Sequence, residues 1–276
     1  MAAASTAAIF KARNYMGVFD GVLLCTDLDG TFALGKEINK ADKEAVKYFM
    51  NNGGLFTLST GRIIHYLADI FETVKPNTFV ISLNGAVISD TTGNLIIKES
   101  FLPPLYEAAL NTALLYKAVI NDIYVYYKGC LEGTKLSPVD YVEKKQQIDK
   151  LKPIYKIVVT FNDEIAAEKA ENEINSLNLG EICATRSWPT GMEILNTDST
   201  KGAAVRFLKK HLGAKLLVCA GDYENDISMI KEADIGYAVG NAHPSLINVA
   251  DRVTVPREKN AIAHIIDDIE KYMKNL

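Results

Sequence analysis

Short apolar runs alternate with amphipathic stretches in the first part of the chain. Gly21–Thr26 is an apolar run typical of a buried strand, and the stretch from about Asn39 to Met50 repeats its apolar residues at helical spacing. The segments LFTLST and TFVISL predict two further strands, with a helix between them. This regular alternation of strands and helices predicts a parallel α/β sheet.

The pattern changes in the middle of the chain. Val87–Asp90 and Leu95–Lys98, joined by TTGN, predict a hairpin, and DIYVYYKG, YKIVVTF, EICATRSW and GMEILN predict more strands around the helix DEIAAEKAENEINSL. The alternation of single strands and helices returns in the last third. We therefore predict a Rossmann-like core made of residues 1–85 and 190–276, with a smaller α/β unit, residues 86–189, inserted between its halves.

Composition excludes several classes of partner. The 276 residues are enough for more than one domain, and a net charge of −4 provides no basic field for nucleic acid or an anionic membrane. No apolar stretch approaches the roughly 18 residues of a membrane helix, and MAAASTAAIFKAR lacks the features of a secretory signal. Four separated cysteines without a CxxC pair argue against zinc and favour reduced thiols in a cytoplasmic protein. We expect this protein to be a monomer or a homodimer.

A pair of aspartates follows the first predicted strand. In an extended segment Asp27 and Asp29 of DLDGT point the same way, because side chains at i and i+2 share a face. Two such carboxylates repel each other unless one is protonated or a cation neutralises them, and Mg²⁺ prefers oxygen ligands. Ligands in open α/β sheets bind at this end of the strands. A solvated Asp-Gly turn explains the pair equally well at this point.

Three other predicted strand or helix ends carry polar residues. Thr60 and Gly61 precede a helix whose free N–H groups suit an anion. Lys201 starts a later helix, where the macrodipole disfavours a cation unless it meets an anion. Asp222 and Asp226 of GDYEND follow an apolar strand and can flank a cation. Taken singly, each is explained as well by a helix cap or a surface lysine.

In this order, the motifs resemble those of the haloacid dehalogenase superfamily and, within it, the Cof-type phosphatases with a large inserted cap. They are DLDGTF, LSTGR with SLNGA after it, STKG and GDYENDISMI, and the resemblance covers the chain from about Phe19. It implies a Rossmann-like core and an α/β cap that sets substrate choice. Two features depart from the family: the segment NAIA stands at Asn260–Ala263 where GVA is common, and the cap is compact.

The resemblance implies a role for each motif residue. Asp27 would be the nucleophile that forms an aspartyl-phosphate, and Asp29 the general acid and then the base. Thr60 and Lys201 would bind the phosphoryl oxygens. Mg²⁺ would be held by Asp27, the backbone carbonyl of Asp29, Asp222 and, directly or from just outside its ligand sphere, Asp226. Further contacts to phosphate or substrate would come from Gly61, Arg62, Asn84 and Asn225.

The function implied by this resemblance is Mg²⁺-dependent hydrolysis of a small phosphorylated metabolite, such as a sugar phosphate. Two alternatives stay open: a phosphomutase or dedicated sugar-phosphate phosphatase of the same fold, and a non-catalytic regulatory protein that binds phosphate. Every motif acid is present, which argues against the non-catalytic alternative. A P-loop nucleotidase is excluded because no GxxxxGK[ST] segment occurs.

Overall fold

A computed structural model of the chain describes residues 17–144, 148–151 and 153–275. Most of the segment before Phe19, where the family resemblance begins, lies outside the described residues. Eight strands form the main sheet, in the order β15-β14-β13-β1-β4-β5-β6-β7. The strands are β1 (Val22–Asp27), β4 (Leu55–Ser59), β5 (Val80–Ser82), β6 (Val87–Ser89), β7 (Ile96–Glu99), β13 (Leu216–Gly221), β14 (Ile235–Ala238) and β15 (Arg252–Val253).

The main sheet is parallel from β15 to β5, as the alternating pattern predicted, and antiparallel at the β5–β6 and β6–β7 pairs. A two-stranded ribbon, β2 (Ala33–Leu34) and β3 (Glu37–Ile38), follows β1. The helices are α1 (Lys40–Asn51), α2 (Ala68–Thr73), α3 (Tyr106–Ala113), α4 (Pro138–Glu143), α5 (Glu164–Ser176), α6 (Lys201–Leu212), α7 (Ile227–Glu232), α8 (Pro244–Ile247) and α9 (Ala261–Lys274). Within the described ranges, no helix has the length and apolarity needed to cross a membrane.

Both faces of the main sheet are covered, which explains why its central strand is apolar throughout. Along β1, Val22 and Leu24 pack with the apolar faces of α1 and α9, whereas Leu23 and Cys25 pack with α6 and α7 on the other face. Alternate strand residues point to opposite faces. A strand buried on both sides therefore shows a continuous apolar run.

A second, antiparallel sheet has the order β11-β12-β10-β8-β9. Helices α3 and α5 share an apolar core with it, and α4 packs against its strand β8. We call this sheet and these three helices the cap. Its strands are β8 (Ile120–Tyr127), β9 (Thr134–Leu136), β10 (Ile154–Phe161), β11 (Ile182–Trp188) and β12 (Gly191–Asn196).

The predicted boundaries of the inserted unit, residues 86 and 189, do not coincide with the sheets. The hairpin β6–β7 was assigned to the inserted unit but extends the main sheet beside β5, and β12 was assigned to the core region but pairs with β10 and β11 of the cap. Local alternation predicts that a strand exists. It carries no information about which sheet edge the strand joins, so the boundaries at residues 86 and 189 stay a prediction.

Candidate active site

The predicted strand-end motifs meet at the carboxyl end of the parallel sheet. Strand β1 lies between β4 and β13, so Asp27 has the end of β4 on one side and Asp222, just after β13, on the other. Helix α6 brings Lys201 to the same place. Its Nζ lies 2.6 Å from Asp27 Oδ1 and 2.5 Å from Asp226 Oδ1. Lys201 is buried, so the alternative of a surface lysine is wrong.

Burial and charge act against each other at this ion pair. Burial is the largest influence on the pKa of Asp27 and raises it well above the ordinary value, while the Lys201 ammonium acts to lower it. Burial alone would lower the pKa of Lys201, but the carboxylates of Asp226 and Asp27 outweigh it, and the pKa is raised. Lys201 is therefore a fixed cation at the strand end.

Three carboxylates surround this cation. Asp27, Asp222 and Asp226 each offer an oxygen within 4.8 Å of the others. The second oxygen of Asp226 accepts the backbone N–H groups of Asp222 and Tyr223, at 3.0 and 3.2 Å, and the Thr31 hydroxyl donates to Asp222 Oδ1 at 2.8 Å. Burial and the charge of Asp226 raise the pKa of Asp222 to about 6. One ammonium does not balance three acids, so the charge and the donor atoms of the cluster suit a further cation.

Gly30 makes this close approach possible. Its φ is +87°, and a Cβ at this position would lie 2.3 Å from Asp222 Oδ2. Any side chain would therefore push the DLDGT loop away from Asp222, besides straining the backbone. The glycine after the two aspartates is required by the fit of two loops, and not by a solvated turn.

Asp29 has a different environment from Asp27. Arg62 holds its carboxylate in a two-pronged ion pair, with Nε 2.9 Å from Asp29 Oδ2, and the Asp29 side chain is about half exposed. The same guanidinium also donates to the carbonyl of Gly35 at 3.1 Å. Because β1 ends at Asp27, the rule that residues i and i+2 share a face does not apply to this pair. Both side chains nevertheless line one cavity at the end of the sheet.

The residues predicted to contact phosphate lie on neighbouring loops. Thr60 is buried after β4, and its hydroxyl accepts the backbone N–H of Arg62 at 3.2 Å. Asn84 follows β5 with a φ of +57°, and its N–H donates to the Thr60 carbonyl at 2.9 Å. The side-chain amide of Asn225 donates to Asn84 Oδ1 at 3.3 Å. The loops after β4, β5 and β13 are therefore bonded to one another.

A cavity of about 670 Å³ lies between these loops and the cap. Its floor is the motif residues of the core, and its wall is aromatic and charged residues of the cap sheet. The core contributes Asp27, Asp29, Thr60, Gly61, Arg62, Asp222 and Asn225, and the cap contributes Tyr124, Tyr126, Lys156, Ser187, Trp188 and Glu193.

The arrangement agrees with a comparison of the chain with known families. The sequence profile of the haloacid dehalogenase-like hydrolases matches residues 24–266, which is most of the chain. The chain belongs to this family. The match spans the strand that carries Asp27, the whole cap and the loop that carries Asp222 and Asp226.

Relatives of this hydrolase carry phosphatase names. The putative phosphatase YxeH of Bacillus subtilis is 24% identical over 90% of this chain and 97% of its own length. The 5-amino-6-(5-phospho-D-ribitylamino)uracil phosphatase YcsE of the same organism is 25% identical over 88% and 94%. The solved structure of the phosphatase BT1666 from Bacteroides thetaiotaomicron has the same fold, with a TM-score of 0.74, 21% identity, and coverage of 94% and 98%. Family and relatives together indicate a phosphomonoester hydrolase.

The hydrolase site fits the divalent cation that the family uses. Its donors are carboxylate oxygens, which Mg²⁺ prefers. They converge from β1 and from the loop after β13, and burial, followed by the charge of Asp226, raises the pKa of Asp222. Asp29 was predicted to contribute its backbone carbonyl, and that contribution stays a prediction.

Sequence reasoning missed three cap residues that reach the core. Lys156 of β10, Ser187 of β11 and Glu193 of β12 all line the cavity. Lys156 and Glu193 are buried and paired at 2.6 Å. The available signal was a single charged residue inside each of two apolar strands, YKIVVTF and GMEILN. A lone charge in a buried strand requires a partner.

A second contact between cap and core involves Arg186 of β11. Its Nη2 lies 2.9 Å from Glu224, in the loop after β13, and its Nε lies 3.1 Å from Glu171 of α5. Burial, followed by the charge of Glu224, raises the pKa of Glu171 to about 7, although Arg186 opposes this. The cap therefore meets the loop of Asp222 and Asp226 through a buried charged cluster.

Proposed function

We propose that the protein is a Mg²⁺-dependent phosphatase that hydrolyses a small phosphorylated metabolite, such as a sugar phosphate, through an aspartyl-phosphate on Asp27. One observation carries the proposal. The buried carboxylate of Asp27 is paired with Lys201 and lies in a cavity between the core loops and the cap. Burying a charge is costly, and this carboxylate is buried beside two further acids, Asp222 and Asp226.

Asp27 is the nucleophile in this proposal. Its carboxylate oxygen attacks phosphorus while the bond to the leaving oxygen breaks, and water then attacks the phosphoryl group and releases phosphate. Dividing the reaction in two lowers each barrier. Lys201 lowers the pKa of Asp27 against the effect of burial and attracts the phosphoryl oxygens, and the Thr60 hydroxyl binds one of them.

Asp29 moves the proton. It gives a proton to the leaving oxygen in the first step and takes one from water in the second. Its exposed carboxylate lines the cavity and is held by Arg62, so it is close to the leaving group without being part of the acidic cluster. The two aspartates therefore differ in environment, as their different tasks require.

Asp27, Asp222 and Asp226 would hold the cation, with Thr31 fixing the carboxylate of Asp222. When bound, Mg²⁺ supplies positive charge against the phosphoryl oxygens. The second oxygen of Asp226 is held by two backbone N–H groups, so the geometry of the site is set by the GDYEND loop itself.

The cap supports a small substrate. A cavity of about 670 Å³ holds a metabolite but not a folded phosphoprotein. Its aromatic side chains, Tyr124, Tyr126 and Trp188, provide faces for a sugar, a polyol or a ring. The relative YcsE is named for a substrate whose phosphate is on a ribityl chain, which agrees with this chemistry.

A panel of phosphometabolites, assayed for released phosphate with and without Mg²⁺, tests the proposal. We expect turnover that requires Mg²⁺ and that falls by about 10⁴-fold or more in Asp27→Asn, because the nucleophile is lost. Full activity of Asp27→Asn would contradict the proposal. Formation of an isomeric phosphate in place of free phosphate would identify a mutase, and binding of phosphate without turnover would identify a regulatory protein.

A further inference from the structure

The hydroxyl of Ser187 in the cap is at the centre of a hydrogen-bond network. It donates to Glu193 Oε1 at 2.7 Å and accepts from the amides of Asn225 and Asn84, at 3.1 and 3.3 Å. A serine hydroxyl has one donor and two acceptor sites. All three are used here, and two of them bind residues of the core.

The direction of these bonds is fixed by charge. Lys156 Nζ donates to Glu193 Oε2 at 2.6 Å, and both side chains are almost inaccessible, at 3% and 2% exposure. A carboxylate paired with a lysine only accepts hydrogen bonds. Ser187 must therefore donate to Glu193, which leaves its lone pairs for the NH₂ groups of Asn84 and Asn225.

The network reaches the three core loops that surround the proposed phosphate position. Lys156 also donates to the Gly61 carbonyl, at 2.9 Å, in the loop after β4. Asn84 belongs to the loop after β5, and Asn225 to the loop after β13. Three neighbouring cap strands, β11, β12 and β10, therefore contact all three loops through one connected set of bonds.

We propose that Ser187, held by Glu193 and Lys156, is a positioning residue for hydrolysis: it sets the orientation of Asn84 and Asn225, so that the phosphate site is complete only when the cap covers it. The inference rests on the proposed function. It explains a buried ion pair that lies beside the cavity and has no part in the chemistry at Asp27.

The same contacts have a simpler interpretation, which is adhesion between cap and core. The two interpretations differ in what they predict for different substrates. A residue that aligns the phosphate site affects every substrate equally, because all share the phosphoryl group. Loss of adhesion alone lowers stability, and loss of a leaving-group contact affects one substrate more than another.

Ser187→Ala, Ser187→Thr and Ser176→Ala test the proposal. Ser176 is an exposed serine of α5 whose hydroxyl donates to the Glu173 carbonyl at 2.7 Å, so Ser176→Ala is the matched control. We expect kcat/KM of Ser187→Ala to fall by about tenfold, and by the same factor for p-nitrophenyl phosphate and glucose 6-phosphate. Threonine keeps the hydroxyl and suits a strand, so Ser187→Thr should recover most of this loss.

Calorimetric binding of inorganic phosphate in the presence of Mg²⁺ is the second measurement. Ser187→Ala should bind phosphate about tenfold more weakly than the native protein, because the amides of Asn84 and Asn225 lose their acceptor. Equal kcat/KM and equal phosphate affinity in Ser187→Ala and the control would overturn the inference, as would a loss restricted to one substrate. If the native protein hydrolyses no phosphomonoester of the panel, the proposed function fails, and phosphate binding still decides the role of Ser187.

Discussion

The core and the cap each bury a lysine, and the two lysines differ in their partners. Lys201 of the core lies between two carboxylates, with the third acid of the cluster close by. Lys156 of the cap meets one carboxylate, that of Glu193, together with a backbone carbonyl and the ring of Tyr126, whose centroid is 5.2 Å away. The core site has an excess of negative charge, whereas the cap pair is balanced.

This difference in charge distinguishes the proposed catalytic site of the core from a structural contact of the cap. A balanced, fully bonded pair holds strands in place and attracts nothing further. Three acids around one lysine are stable only with added positive charge or added protons, and burial together with the neighbouring acids raises the pKa values of Asp27 and Asp222. Burial alone therefore does not distinguish the lysine proposed to act in catalysis from the lysine of the cap, whereas the number of charged partners does.

Removing the core lysine, Lys201, should have the largest effect on activity and stability. In Lys201→Met we expect kcat to fall by about 10²–10³-fold, because the cation facing the phosphoryl group is lost. The free energy of unfolding at neutral pH should fall by about 3 kcal/mol, since Asp27 and Asp226 lose their partner. Steady-state kinetics and chemical denaturation measure both quantities.

Lys209→Met is the matched control, because Lys209 lies on the same helix and pairs with Asp234 at the surface. It should change kcat by less than about twofold and stability by less than about 1 kcal/mol. An equal loss of activity in the two variants would mean that Lys201 has no special role.

The balanced cap pair should respond differently. Lys156→Met leaves Glu193 buried without its cation and should cost about 3 kcal/mol in unfolding free energy. Lys156→Met combined with Glu193→Gln should recover part of this loss, because no unpaired charge is then buried. Denaturation curves of the two single variants and the double variant form a cycle that measures their coupling.

Lys135→Met is the control for the cap, since Lys135 pairs with Asp122 on the same sheet but is largely exposed. It should change stability by less than about 1 kcal/mol. A double variant as unstable as the sum of the two single variants would show that the pair is not a coupled unit.

The smallest expected effect concerns pH and the cap residue Glu171. Its pKa is about 7 in the folded protein and ordinary in the unfolded chain. Between about pH 4.5 and 7, Glu171 is therefore protonated in the folded state and ionised in the unfolded state. Stability therefore falls as pH rises through this range and changes no further above it. Over this pH range, the thermal midpoint of Glu171→Gln should fall by roughly 2 °C less than that of the native protein.

Glu168→Gln, an exposed position on the same helix, should leave the decline unchanged. If the native protein instead becomes more stable between about pH 5 and 7, and Glu171→Gln does not alter that trend, the pKa of Glu171 is not raised as described.

Much of this architecture follows from local patterns in the sequence. The apolar run before Asp27 and the strand–helix alternation predicted the parallel core, and the polar strand ends predicted that Asp27, Thr60, Lys201 and Asp222 would meet. Carboxyl ends of parallel strands share one edge, so this convergence follows from topology alone.

Other features depend on contacts between distant parts of the chain. The pairing of Asp29 with Arg62 depends on how two loops turn after their strands, and the place of β12 in the cap depends on which sheet edge is free. Lys156 and Glu193 are 37 residues apart. A lone charge within a strand signals that a partner exists, but only the folded sheet shows which residue it is.

The central claim, that Asp27 is the nucleophile of a site neutralised by Lys201, has one direct test. The protein is mixed with Mg²⁺ and a phosphomonoester that it hydrolyses, and the reaction is quenched in acid within a single turnover. The quenched protein is then analysed by peptide mass spectrometry. The account predicts phosphate on the peptide that contains Asp27, and none in Asp27→Asn. Phosphate on a different residue, or native turnover with no phosphorylated peptide at any quench time, would contradict it.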